Sequence, residues 1–172
     1  MSIAFKAMEF ARKAHSKQKR KYTGNPYADH LAEVAGIVAT VAQNFRADIE
    51  PMIAVAWLHD YIEDINPSDD GQWGWFDIEQ KFGEVVANGV LLLSDLETGN
   101  RADRKAASRA RLADAPGWVQ TIKYADLISN TSSIVMHDPK FAVTYLEEKR
   151  LLLEVMDAGD KRLYEMARRM CK

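Results

Sequence analysis

The chain has 172 residues, 47% hydrophobic and 28% charged, with a net charge of -2. That length predicts one domain, residues 1–172, able to bury a core without staples, and the lone Cys171 has no disulfide partner within the chain. So small a net charge, with no long run of one sign, excludes a protein held to nucleic acid or a membrane surface by its overall field.

Residues 3–20 place Ile3, Ala7, Phe10, Ala11 and Ala14 on one stripe, with Lys6, Glu9, Arg12, Lys13 and Lys17 mostly away from it. That spacing predicts an amphipathic helix. "YTGNP" ends it, and Pro26 suits the first turn of a second helix carrying Tyr27, Leu31, Val34, Val38 and Val41. Pro51 opens a third, expected to run to about Asp64. "NPSDDGQWGWFD" reads as a loop by composition, although Trp73 and Trp75 are unusual there. "IEQKFGEVVANGVLLLSDLE" predicts two helices split at Gly83, and residues 101–113 predict another. Pro116 starts one reaching about Ser133, Pro139 precedes a long one ending near Asp157, and Gly159 separates a last amphipathic helix. No segment shows strand alternation with hairpin turns, and no repeat or low-complexity tract appears. The fold class expected is all-α.

No stretch reaches the roughly 18 uninterrupted apolar residues of a membrane span. The opening "MSIAFKAMEFARKAH" mixes charge with apolar groups instead of forming a signal region. A cytoplasmic location is therefore expected.

The segment "AWLHDYIEDI", residues 56–65, places His59, Asp60, Glu63 and Asp64 inside an otherwise apolar helix. On an α-helix His59 shares a face with Glu63, and Asp60 with Asp64. Buried charge is costly unless paired or bound to a metal. A divalent cation gripped by His59 and Asp60, with carboxylates one turn on to hold its water, accounts for the cluster. A purely structural helix gives no reason for it. Adjacent helical residues diverge by about 100°, so further ligands must come from elsewhere. His30 borders the apolar band of the second helix, and Asp126 lies in "IKYADLISN".

"HDYIED", preceded by "RKYTGNPYADHLAEVA" and followed by "IKYADLISN", resembles the hydrolase domain of the RelA/SpoT homologues, a branch of the HD phosphohydrolases. Size and the lack of further domains resemble its single-domain members, the small alarmone hydrolases. The resemblance covers roughly residues 5–155. It implies a compact multi-helix HD-domain phosphohydrolase fold. It also implies one metal ion, usually Mn2+, held by His30, His59, Asp60 and Asp126, with Glu63 and Asp64 orienting or deprotonating the attacking water. A mixed imidazole and carboxylate shell suits that ion chemically. The implied reaction removes the 3′-pyrophosphate of ppGpp or pppGpp, leaving GDP or GTP. The resemblance further assigns Arg20 and Lys21, Arg109 and Arg111 as phosphate clamps, and places Asn130 and Tyr145 near the nucleoside. The partner it implies is a small-molecule nucleotide, with no nucleic acid and no membrane.

Three departures from the family pattern bear on substrate. Leu127 stands where relatives commonly carry Lys or Arg, and Glu97 near a position where some have Lys. The loop after Asp64, with Asp69, Asp70, Trp73 and Trp75, is several residues longer than usual. The metal and water-handling residues are all present, while positive charge for a polyanion is reduced. Another nucleotide such as ppApp, or a catalytically inactive nucleotide-binding module, are the alternatives.

Overall fold

The computed structural model describes residues 1–45, 49–65 and 72–172, and for Gln72 and Trp73 the backbone alone. Among these residues the architecture is all-α. The chain divides into two units, Met1–Leu96 and Glu97–Lys172.

In the first unit, α1 (Ile3–Ala14) packs on α2 (Tyr27–Ala39) and α3 (Ile49–Leu58), and α3 also packs on α5 (Glu84–Leu93). Apolar side chains recurring every three or four residues drive this: Ala7, Ala11, Leu31, Val34, Val38, Val55, Leu58 and Val90 are all buried. α1 begins at Ser2, whose hydroxyl accepts the Phe5 N–H at 3.2 Å, the usual N-cap arrangement. It stops at Ala14, short of the expected 3–20. Beyond it the chain doubles back through a turn closed by an isolated bridge between Lys19 and Pro26. Val41 falls outside α2, in the turn before a short 3-10 segment at Ala42–Asn44, yet stays buried.

The third helix also departs from expectation. Its α-geometry ends at Leu58; His59 and Asp60 form a turn, and Tyr61–Ile65 close a single wider π-helical turn. π turns inside helices often mark functional sites. α4 (Gln72–Phe82) then occupies the second half of the stretch read from composition as a loop. Trp75 is thus a helical residue, donating its indole N–H to Asn88 Oδ1 at 2.8 Å. Asp69 and Asp70 lie outside the described residues. Gly83 separates α4 from α5 at φ +87°, a conformation open to glycine at little cost.

The second unit holds α6 (Arg101–Ala113), α7 (Gly117–His137), α8 (Pro139–Leu153) and α9 (Lys161–Met170). α7 packs on α8 and α9, with Ile122, Tyr124, Leu152, Met156 and Leu163 buried. α7 continues one turn past the expected Ser133, until Asp138 caps α8 by accepting the Phe141 N–H at 3.2 Å. Gly159 touches the Tyr124 ring so closely that an added Cβ would come within 2.4 Å of it. That permits the buried Tyr124 hydroxyl to donate to Met156 O at 2.6 Å. No helix among the described residues is long and apolar enough to cross a membrane.

Candidate metal centre

Within the first unit, α2 delivers His30 and the turn after α3 delivers His59 and Asp60. One ligand atom from each lies within 4.8 Å of the others. Asp60 Oδ2 stands 3.0 Å from His59 Nε2 and 3.6 Å from His30 Nε2. Both imidazoles are buried, and their rings meet edge to face at 5.3 Å. His59 Nδ1 lies 2.8 Å from the Ala56 carbonyl oxygen, which can only accept. Nδ1 therefore carries the proton, and the lone pair sits on Nε2, the nitrogen facing Asp60. Fixing the tautomer from behind is the usual support for a metal-binding histidine.

Burial alone would raise the Asp60 carboxyl. With the imidazoles protonated, the charge of His59, hydrogen bonds from His30 and His59, and the charge of His30 together outweigh it and hold Asp60 well below the usual carboxylate range. With both imidazoles neutral, the cluster carries one negative charge and two nitrogen lone pairs. That donor set fits a divalent transition ion.

Tyr27, read from sequence only as part of an apolar band, donates its hydroxyl to Asp60 Oδ2 at 2.6 Å. Its spacing of three residues from His30, one helical turn, was the signal available. The Glu63 and Asp64 carboxylates do not simply stack on His59 and Asp60 as a continuous α-helix would have them. Glu63 Oε2 accepts the Asp95 backbone N–H at 2.9 Å, while Asp64 Oδ2 accepts from Gln18 Nε2 at 2.7 Å. Crowding by protein raises the Asp64 carboxyl, against the hydrogen bond from Gln18; the Asp60 charge raises it further, and those of His15 and His59 lower it. A raised carboxyl is a better proton acceptor near neutral pH. Gln18 reaches across 46 residues of chain to Asp64, and no local pattern announces it.

The basic pair divides. Arg20 is half-buried with its guanidinium 6.0 Å from the centre of the Tyr27 ring, whereas exposed Lys21 lies over Tyr22 at 4.9 Å.

In the second unit, Asp126 on α7 pairs with Lys123 at 3.0 Å and accepts from Asn130 Nδ2 at 2.6 Å. Tyr145 is buried, with its hydroxyl 3.4 Å from Thr131 Oγ1. Burial, and then the Asp126 charge, push the Tyr145 phenol strongly upward, so it stays protonated as a hydrogen-bond donor. Arg111 is engaged by Glu97, with 2.9 Å from Nε and 2.7 Å from a terminal nitrogen to Oε1. Arg109 is half-buried on the same helix. Leu127 is a core residue, 1% exposed.

A helical fold in which a histidine and a His-Asp pair converge on one point defines the HD-domain class. The family model described as "HD domain" matches residues 7–117, and the chain belongs to that family. The chain is 29% identical, over 88% of its length, to a Synechocystis protein named "Probable guanosine-3′,5′-bis(diphosphate) 3′-pyrophosphohydrolase", but spans only 18% of that relative. It is 26% identical to the guanosine-3′,5′-bis(diphosphate) 3′-pyrophosphohydrolase of Drosophila melanogaster, over 77% of this chain and 69% of the relative. A solved structure of a metazoan ortholog of SpoT, described as hydrolysing ppGpp, shares the fold with TM-score 0.83 at 22% identity, covering 99% of this chain and 94% of that one. A Listeria monocytogenes EGD-e protein matches with TM-score 0.68 at 23% identity, covering 88% and 97%.

Proposed function

We propose that residues 1–172 act as one HD-type hydrolase domain removing the 3′-pyrophosphate of ppGpp or pppGpp, releasing pyrophosphate and GDP or GTP. The observation that carries this reading is the convergence of His30, His59 and Asp60, with the Glu63 and Asp64 carboxylates on the following turn. The names of the relatives in Synechocystis and Drosophila supply the substrate class.

His30 Nε2, His59 Nε2 and an Asp60 oxygen would hold one divalent cation, Mn2+ in this reading. Asp126 is assigned as a fourth ligand on its "KYAD" motif alone. Such a cation, when bound, lowers the pKa of water and offsets charge developing on phosphoryl oxygens. Asp64 or Glu63 takes the proton of the attacking water. Tyr27 and the Ala56 carbonyl keep Asp60 and His59 from turning away. Arg20, on the turn before Tyr27, binds a phosphate, with Lys21 and Arg109 as further clamps. Asn130 and Tyr145 face the nucleoside. A diffusible nucleotide substrate places the activity in the cytoplasm and requires neither nucleic acid nor a membrane.

A second reading is another nucleotide, either ppApp, which carries the same phosphates as ppGpp, or one with fewer phosphate charges, and one observation bears on the latter. Glu97 already neutralises Arg111, and Leu127 is a core residue, so two positions contribute no charge to a polyanion. Incubating the Mn2+-loaded chain with ppGpp, ppApp and nucleoside triphosphates decides between them. Pyrophosphate release from ppGpp supports the first reading, and release from ppApp alone supports the second. Tight ppGpp binding without turnover would mark an inactive binding module.

A further inference from the structure

Gln18 and His15 stand outside every role assigned above, yet they form a directed chain of hydrogen bonds ending on Asp64. An ionised carboxylate only accepts, so the Gln18 side-chain nitrogen must be the group 2.7 Å from Asp64 Oδ2. This turns the Gln18 carbonyl oxygen toward His15, whose Nδ1 lies 2.5 Å away and must therefore donate. The chain runs His15 Nδ1–H to Gln18 Oε1, then Gln18 Nε2–H to Asp64 Oδ2. His15 is 1% exposed, and its ring lies flat on Tyr27 at 5.2 Å with 17° between the planes. Tyr27 in turn holds Asp60. One buried imidazole thus supports both the Asp60 ligand, through a stacked phenol, and the Asp64 carboxylate, through an amide.

The backbone fixes the same segment. His15 N–H donates to Ala11 O at 2.9 Å, Gln18 N–H to His15 O at 3.0 Å, and Tyr27 N–H to Gln18 O at 3.0 Å. Gln18 therefore reaches Asp64 from an anchored turn, although the carboxylate itself sits on the exposed side of the π-helical turn.

We propose that His15 and Gln18 are positioning residues for Asp64. The pair holds Oδ2 and so leaves Oδ1 as the oxygen that takes the proton of the attacking water. This rests on the hydrolase reading and adds a choice within it: Asp64, not Glu63, is the base. Glu63 is instead tied to the Asp95 backbone.

The test uses the full chain and three readouts. Gln18→Ala lowers kcat for ppGpp by about 10- to 100-fold, as expected for a misplaced reacting group, while KM and Mn2+ affinity by calorimetry stay unchanged. His15→Asn, whose amide nitrogen can stand in for Nδ1, retains most of the turnover. His15→Gln, which extends toward the Nε2 position, does not. A loss confined to KM, weakened Mn2+ binding in Gln18→Ala, or equal kcat in His15→Asn and His15→Gln overturns the proposal. The third readout needs no substrate and no His15 variant that folds. NMR of the imidazole nitrogens must show His15 protonated at Nδ1 in the wild-type chain, and that signature must shift in Gln18→Ala. An Nε2–H tautomer overturns the relay. If the wild-type chain leaves ppGpp intact while His15 shows the Nδ1–H signature, the substrate assignment falls and the hydrogen-bond chain stands.

Discussion

Asp60 in the first unit and Asp126 in the second are both carboxylates at the edge of a packed helical core, but their charges are balanced by different means. Asp126 has a permanent cation, Lys123, and the amide of Asn130. Asp60 has two imidazoles and a phenol, none of which must be charged at neutral pH. The first arrangement is electrically closed without an ion, so Asp126 joins the proposed centre as a fourth ligand only by exchanging Lys123 for the cation. The second keeps a net negative charge unless the histidines protonate or a cation arrives. Burial by itself therefore does not show which carboxylate stands open to an ion; the kind of counter-charge does.

The largest expected effect tests the open cluster directly. Asp60→Ala or His59→Ala abolishes both Mn2+ uptake and turnover, read by calorimetry and by pyrophosphate release. Retained metal binding in either variant would falsify the three-residue centre. Next in size, Asp64→Asn keeps metal but loses on the order of 100-fold in kcat, the scale of a missing general base. Glu63→Gln loses less. A larger loss at Glu63 would reverse the two roles.

The closed pair predicts a change in stability. Lys123→Met strands Asp126 without its cation and costs about 2 kcal/mol, below the 3–5 typical of a deeply buried pair because both side chains keep some solvent. A urea midpoint matching wild type would erase the contrast. Gly159→Ala, which drives a methyl against the Tyr124 ring, costs about 1–3 kcal/mol in the same unit.

The smallest effect belongs to Asp77, which accepts from Tyr61 Oη at 2.6 Å and pairs with Lys81. Partial burial raises its carboxyl, but the hydrogen bonds from Lys81 and Tyr61 and the Lys81 charge prevail and lower it. A carboxyl depressed on folding stabilises above its unfolded value, near 4, and that contribution is lost as pH falls through the folded value. Asp77→Asn should cost under about 1 kcal/mol at neutral pH, given its exposure, with the difference from wild type closing below about pH 4. A gap that persists in acid would assign the cost to packing.

Much of the helical order was legible because local signals suffice for it. Residues 101–113 form α6 with the expected bounds, opened by Asn100, whose side chain accepts the Asp103 N–H at 3.0 Å. Gly83 separates two helices because a positive φ is needed there. What escaped was set by tertiary contact. The third helix changes geometry at His59 although its apolar pattern continues, and Asp64 is then met by Gln18 from a different turn. Trp75 looked like a loop residue until Asn88 on α5 supplied its partner. Of the site residues, those in dense motifs were visible, whereas Tyr27, His15 and Gln18 act through single side-chain contacts that leave no periodicity.

The abrupt end of α3 at Leu58 has one more consequence. The carboxyl end of a helix carries about half an elementary negative charge from its aligned peptide dipoles, and here it abuts His59 and Asp60. Two independent sources of negative potential thus coincide where a polyphosphate would have to approach. An empty centre repels such a ligand, and nucleotide affinity should rise steeply with the concentration of divalent ion.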